Sequence, residues 1–103
     1  MNLMEIEEII NLFEELKEYL SKYVDDSIDV SYKYLCNMIE VIKVNDSENI
    51  EDEILRTYKS LYPGIGGLSD FYIWDDNYEK RCLLNEPLER IHKKLWDLLK
   101  SYL

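Results

Sequence analysis

The chain reads as an all-α protein, one compact domain of four to five helices over residues 1–103, and three observations predict it. Apolar residues recur at intervals of three and four along most of its length, the period of a helix with one buried face. Only three Gly and two Pro interrupt 103 residues, so regular elements are long and turns few. Fifteen Leu and eleven Ile supply stripes wide enough for a core, in a chain of about one domain's length.

The first helix is predicted over residues 3–23. Leu3, Ile6, Ile9, Ile10, Phe13, Leu16, Leu20 and Tyr23 form its apolar stripe, with Glu7, Glu8, Glu14, Glu15 and Glu18 on the other side. Asp25 and Asp26 break the pattern. Ile28 to Tyr34 alternate as a strand would, but Ile28, Tyr32, Leu35, Ile39 and Ile42 also make a longer helical stripe, and length favours a helix. Ser27 or Asp29 is expected to cap it, and Asn45 to lie near its end.

A third helix follows, capped by Asp46 or Ser47, with Ile50, Ile54, Tyr58 and Leu61 inward and an end at Tyr62 or Pro63. Acids crowd its first turns while Arg56 and Lys59 occupy its last, the order the helix dipole favours. Asp76 with Glu79 suggests a capping box for a further helix, and Asn85-Glu86-Pro87 a short interruption. The closing helix should turn Leu84, Leu88, Ile91, Leu95, Leu98 and Tyr102 inward. Glu86–Arg90 and Glu89–Lys93 are spaced four apart with the acid first, the favourable order for pairing.

Twenty-two acids against twelve Lys and Arg give a formal charge of −10. The excess is one-sided: residues 1–62 hold fifteen acids and six bases, residues 63–103 seven and six. That balance argues against direct nucleic-acid binding, which needs a basic surface. No apolar run approaches the roughly 18–20 residues of a membrane span. Glu5, Glu7 and Glu8 stand where a signal peptide's basic region would be, so a cytoplasmic protein with Cys36 and Cys82 as reduced thiols is expected. There is no Ala and no Gln, a bias that reads as an AT-rich genome and accounts, with core packing, for most of the nine tyrosines.

Chemistry is sparse. The single His92 is expected to pack on a helix flank beside Trp96, and with Cys36 and Cys82 it lacks the close ligand pairs of a zinc site. A Cys82–His92 nucleophile pair has no identifiable orienting group. No catalytic residue, metal or cofactor is therefore expected. All three glycines fall in Gly64-Ile65-Gly66-Gly67, which lacks the Lys-Ser/Thr of a phosphate-binding loop. Gly64, Gly66 and Gly67 are read as a structural loop that permits positive φ or close helix approach. Asp70 is read as accepting backbone N–H bonds at the turn or helix start that follows the glycines.

Residues 62–73, with the helix that follows, resemble an uncharacterised family of small bacterial helical proteins. That family is marked by a Gly-Gly-Met-Gly-Ser-aromatic-Asn-Asp loop followed by Leu-x-Ile and a closing amphipathic helix. Gly64, Gly66 and Asp70 match outright; Pro63, Ile65, Gly67, Leu68 and Ser69 stand for the first Gly, Met, Ser, aromatic and Asn. The resemblance covers about the last 45 residues. By analogy of size, charge and class, it is immunity-protein-like, of the contact-dependent growth inhibition type.

The leading expectation is thus an immunity protein that neutralises a cognate toxin domain with a basic surface. A nuclease, whose cleft must be basic to hold phosphates, fits best. Its contacts are expected at Glu7, Glu14 and Glu18 on the first helix and at Asp25, Asp26 and Asp29 beyond it, the carboxylates that helix dipoles do not explain. Tyr19, Tyr23 and Tyr32 are the nearest aromatic anchors. The alternatives are an acidic nucleic-acid-mimicking decoy of a DNA-binding protein, and a helical scaffold or homodimer without a catalytic role. A merely solubilising acidic surface is the plainest reading of the charge.

Overall fold

Asn2 starts the first helix. Its Oδ1 accepts the N–H of Glu5 at 2.8 Å, while Glu5 Oε1 accepts the N–H of Asn2 at 3.3 Å. This reciprocal box satisfies two amide donors that a helix start leaves free. In the computed structural model, which describes residues 1–44 and 49–103, the helix runs as α1 (Leu3–Leu20). It is followed by α2 (Asp29–Val44), α3 (Ile50–Leu61) and α4 (Tyr78–Leu99), with single 3-10 turns at Gly67–Ser69 and Lys100–Tyr102. The described residues are all-α, without strands.

The ambiguous second segment is a helix. Val30, which alternation would turn inward with Ile28 and Tyr32, is 81% exposed, whereas Ile28, Leu35, Ile39 and Ile42 are buried. Neither Ser27 nor Asp29 caps α2. Asp25 holds the preceding turn instead, its Oδ1 accepting from Ser27 N at 2.9 Å and Ser27 Oγ at 2.5 Å, and the Ile28 carbonyl takes the first helical bond from Tyr32. The expected caps Asp46 and Ser47, and the expected helix end at Asn45, lie outside the described residues. α3 stops one residue earlier than expected, at Leu61, with Tyr62 as its C-cap.

Residues 78–99 form one helix, not two. Asn77 rather than Asp76 caps it, its Oδ1 accepting from Lys80 N at 2.9 Å, and it continues through Pro87. Proline has no N–H to return to the Leu83 carbonyl. The neighbouring turn is held from outside. Tyr19 of α1 donates its hydroxyl to the Leu84 carbonyl at 2.5 Å, and the buried Asn85 side chain bonds Arg81 O, Ile73 O and Ile73 N, each at 2.8 Å. The inward face therefore includes Asn85, Ile91, Leu95 and Leu99, while Tyr102 stays at the surface.

α1 packs against both α2 and α4, and α2 against α3. Ile9, Phe13, Leu16 and Leu20 of α1 meet Leu35 and Ile39 of α2, Ile54 and Leu61 of α3, and Ile91 and Leu95 of α4 in one core. The body is elongated, 47 × 24 × 23 Å. No helix among the described residues is long and apolar enough to cross a membrane.

Candidate functional site

Two surfaces carry chemistry: the acidic side of α1 and the turn after it, and a groove between the glycine loop and α4. On α1, Glu7, Glu14 and Glu18 share one face, as spacings of seven and four residues require. Their fates differ. Glu14 pairs with Lys43 of α2 at 2.5 Å, and that partner raises the lysine pKa above its ordinary value. Glu7 and Glu18 are exposed and have no ion-pair partner among the described residues.

In the connection that follows, Asp25 is turned onto Ser27, whose hydroxyl chiefly holds its carboxyl below the usual range. Asp29 pairs with Lys33 at 3.0 Å. Only Asp26 of these three projects unpaired. Tyr32 joins Glu14 and Glu18 around a shallow depression of about 350 Å³ between α1 and α2, where Lys17 and Lys43 also stand. Tyr19 and Tyr23 lie together instead, ring centroids 5.2 Å apart, and burial pushes the Tyr19 hydroxyl pKa up. With its hydroxyl bound to Leu84, Tyr19 is a tie between helices as well as a surface ring.

The glycine loop shapes the other surface. Gly64, Gly66 and Gly67 have φ of +93°, +78° and +55°, a region disfavoured for residues with a Cβ. A Cβ on Gly67 would lie 2.9 Å from the Leu61 carbonyl oxygen, so close backbone approach also selects glycine there. Asp70 Oδ2 accepts the Gly66 N–H at 2.6 Å, and Ser69 Oγ accepts the Gly64 N–H at 3.1 Å. The Asp70 bond thus reaches back into the glycine loop, and not to the turn or helix start that follows it as expected.

Closed in this way, the loop forms one wall of a groove opposite α4. Tyr62, Ser69, Glu89 and His92 line both of its halves. The inner half, about 250 Å³, adds Phe71, Tyr72 and Leu88; the outer, about 580 Å³, adds Tyr58, Lys93 and Trp96. His92 does not rest on Trp96 as expected. It lies flat on Tyr62, centroids 4.0 Å apart and planes 8° from parallel, with Nε2 3.3 Å from the Tyr58 hydroxyl. Burial lowers its pKa and so favours the neutral ring, and burial drives the Tyr62 hydroxyl pKa well above the ordinary tyrosine range.

The charge pairs expected within α4 are rearranged by tertiary contacts. Arg90 bonds Glu15 of α1, not Glu86, and Glu89 is not within ion-pair distance of Lys93. Beyond the groove, Arg81 stacks over Trp74 at 4.4 Å and beside Tyr78 at 5.3 Å, and both rings are 68% exposed. Sequence reasoning missed this cluster and the groove. The i,i+4 pairs Tyr58–Tyr62, Glu89–Lys93 and His92–Trp96 were the available signal, since each puts two groove residues on one helix face.

No group of three or more His, Cys, Asp or Glu among the described residues is arranged to hold a metal ion. Cys36 is half-buried and Cys82 exposed, both as free thiols. The fold and these surfaces define a class, a small all-α protein with an acidic helix face and an aromatic groove. No family model, curated protein or solved structure matches the chain.

Proposed function

We propose that this protein is a binding module that recognises a basic partner through the acidic side of α1 and its following turn. In this reading the partner is a toxin domain, a basic nuclease by preference, and the chain is its cytoplasmic immunity protein. The single observation that carries the proposal is the set of exposed carboxylates Glu7, Glu18 and Asp26. They have no ion-pair partner among the described residues, in a half of the chain with fifteen acids and six bases. Unpaired charge on one side steers a partner of opposite sign and raises its association rate. Neutralisation would follow from occupying a cleft that must be basic to hold phosphates. The loop resemblance to small bacterial helical proteins is compatible with this reading.

The test is co-expression with the product of the neighbouring reading frame, followed by stopped-flow association over a salt series. The expected on-rate falls steeply with salt. Joint replacement Glu7→Lys, Glu18→Lys and Asp26→Lys should slow association about tenfold or more at low salt, with an unchanged melting temperature. An on-rate indifferent to both salt and charge reversal would leave the acidic face as a solubilising surface only. Inhibition of several unrelated DNA-binding proteins would favour the nucleic-acid-mimicking decoy, because an immunity protein binds one toxin and ignores its relatives.

A further inference from the structure

We propose that the groove between the glycine loop and α4 receives one arginine side chain of a protein partner, with Glu89 as its counter-charge. The proposal rests on the reading of a basic partner and adds a specific receptor for it, built from residues other than the α1 carboxylates.

Charge argues first. Glu89 lines both halves of the groove, is exposed, and has no ion-pair partner among the described residues. Among the described residues it is the only carboxylate lining the inner half, and Lys93 stands only on the outer half. A carboxylate without a partner beside aromatic walls is complementary to a cation. Geometry argues next for a guanidinium. Phe71, Tyr72 and the Tyr62–His92 stack offer flat surfaces, and a planar guanidinium can stack on a ring while its N–H fork meets a carboxylate. The chain uses the same chemistry in its own fold, where Arg81 lies over Trp74. Size argues last. The inner half, about 250 Å³, is below the range of drug-sized ligand pockets and suits a single side chain.

The groove is also built to persist. The Asp70–Gly66 and Ser69–Gly64 bonds hold the loop, and Asn85 ties Ile73 to α4 behind it. A preformed receptor loses less freedom on binding than one that must order itself.

The experiment uses the full chain without any toxin, so its failure is separable from failure of the acidic-face reading. N-acetyl-arginine amide is titrated into labelled protein, and the resonances of Ser69, His92 and the Trp96 indole are followed. Saturable shifts are expected at these residues, weaker with N-acetyl-lysine amide and absent with the neutral N-acetyl-citrulline amide. Glu89→Gln should weaken arginine binding about tenfold or more, as loss of a charge-assisted contact implies. Glu40→Gln, on the exposed face of α2, should leave it unchanged. The proposal is overturned by an absence of saturable shifts, by equal binding of the citrulline amide, or by arginine binding that survives Glu89→Gln.

Discussion

Tyr19 and Leu84 are separated by 65 positions, yet the tyrosine hydroxyl donates to the leucine carbonyl at 2.5 Å. The acceptor lies three residues before Pro87, in the turn of α4 that lacks one internal bond. An aromatic residue expected to anchor a partner is thereby committed to joining α1 and α4. Tyr19→Phe keeps the ring and removes only the hydroxyl. It should lower stability by about 1 kcal/mol, the usual net value of one such bond, as measured by urea denaturation. If Tyr19 is also an anchor through its ring, the same variant should bind the partner almost normally while Tyr19→Ala should not.

Asn85 carries a heavier load. Its amide answers both the N–H and the carbonyl of Ile73, and also Arg81 O, in a buried setting. Asn85→Leu is close in size but strands two backbone groups of Ile73 without partners. A loss of about 2–6 kcal/mol is expected, at roughly 1–3 for each buried group left unsatisfied. Chemical denaturation measures it, and an unchanged midpoint would show that water replaces the amide.

The glycine loop should tolerate little. Gly67→Ala places a Cβ against the Leu61 carbonyl oxygen, a backbone atom that cannot rotate away, and Gly66 has φ +78° and ψ −167°, a conformation essentially restricted to glycine. Each alanine variant is expected to cost about 1–3 kcal/mol. Asp70→Ala, which removes the acceptor of the Gly66 N–H, should cost about 1 kcal/mol and leave partner binding in place. A variant that unfolds normally but no longer binds would instead give Asp70 a role at the interface.

Protonation of His92 gives a pH dependence of definite sign. Burial lowers its pKa in the fold below the ordinary 6.5, so the unfolded chain takes up the proton first. Its contribution to stability is present above about pH 6.5 and is lost as the pH falls through the lowered folded value. The carboxyls of Asp25 and Asp75 are also lowered, by Ser27 and by the Asn77 amide respectively, but from 3.8, so their contributions are lost at still lower pH. Denaturation midpoints at pH 7 and pH 5 should therefore differ more for the native chain than for His92→Gln. Equal differences would remove His92 as the cause.

Periodicity alone determined the first and third helices, because a buried stripe at spacings of three and four needs no knowledge of what it packs against. The second also fits a strand and needs its length to decide, and the fourth reads as two helices instead of one. Ile54, Tyr58 and Leu61 of the third were assigned inward by periodicity, and they are buried. The glycine cluster was equally legible, since positive φ is written into residue type. The uneven charge was countable, but which carboxylates remain unpaired was not. Glu14 and Glu15 are one position apart and face different neighbours, Lys43 of α2 and Arg90 of α4. The i,i+4 rule offered Arg90 the nearer Glu86, yet packing of α1 on α4 supplied Glu15. Pro87 looked like a break because the bonds that hold its turn come from Tyr19 and from the Asn85 contact with Ile73, both distant in sequence. His92 was legible as a helix-flank residue, but its seat on Tyr62 depends on how α3 and the glycine loop meet α4. Local pattern fixes which face of an element is apolar. Only the packed backbone fixes which side chains, 30 or 70 residues apart, come within a few ångströms and so decide where charge and hydrogen bonds are spent.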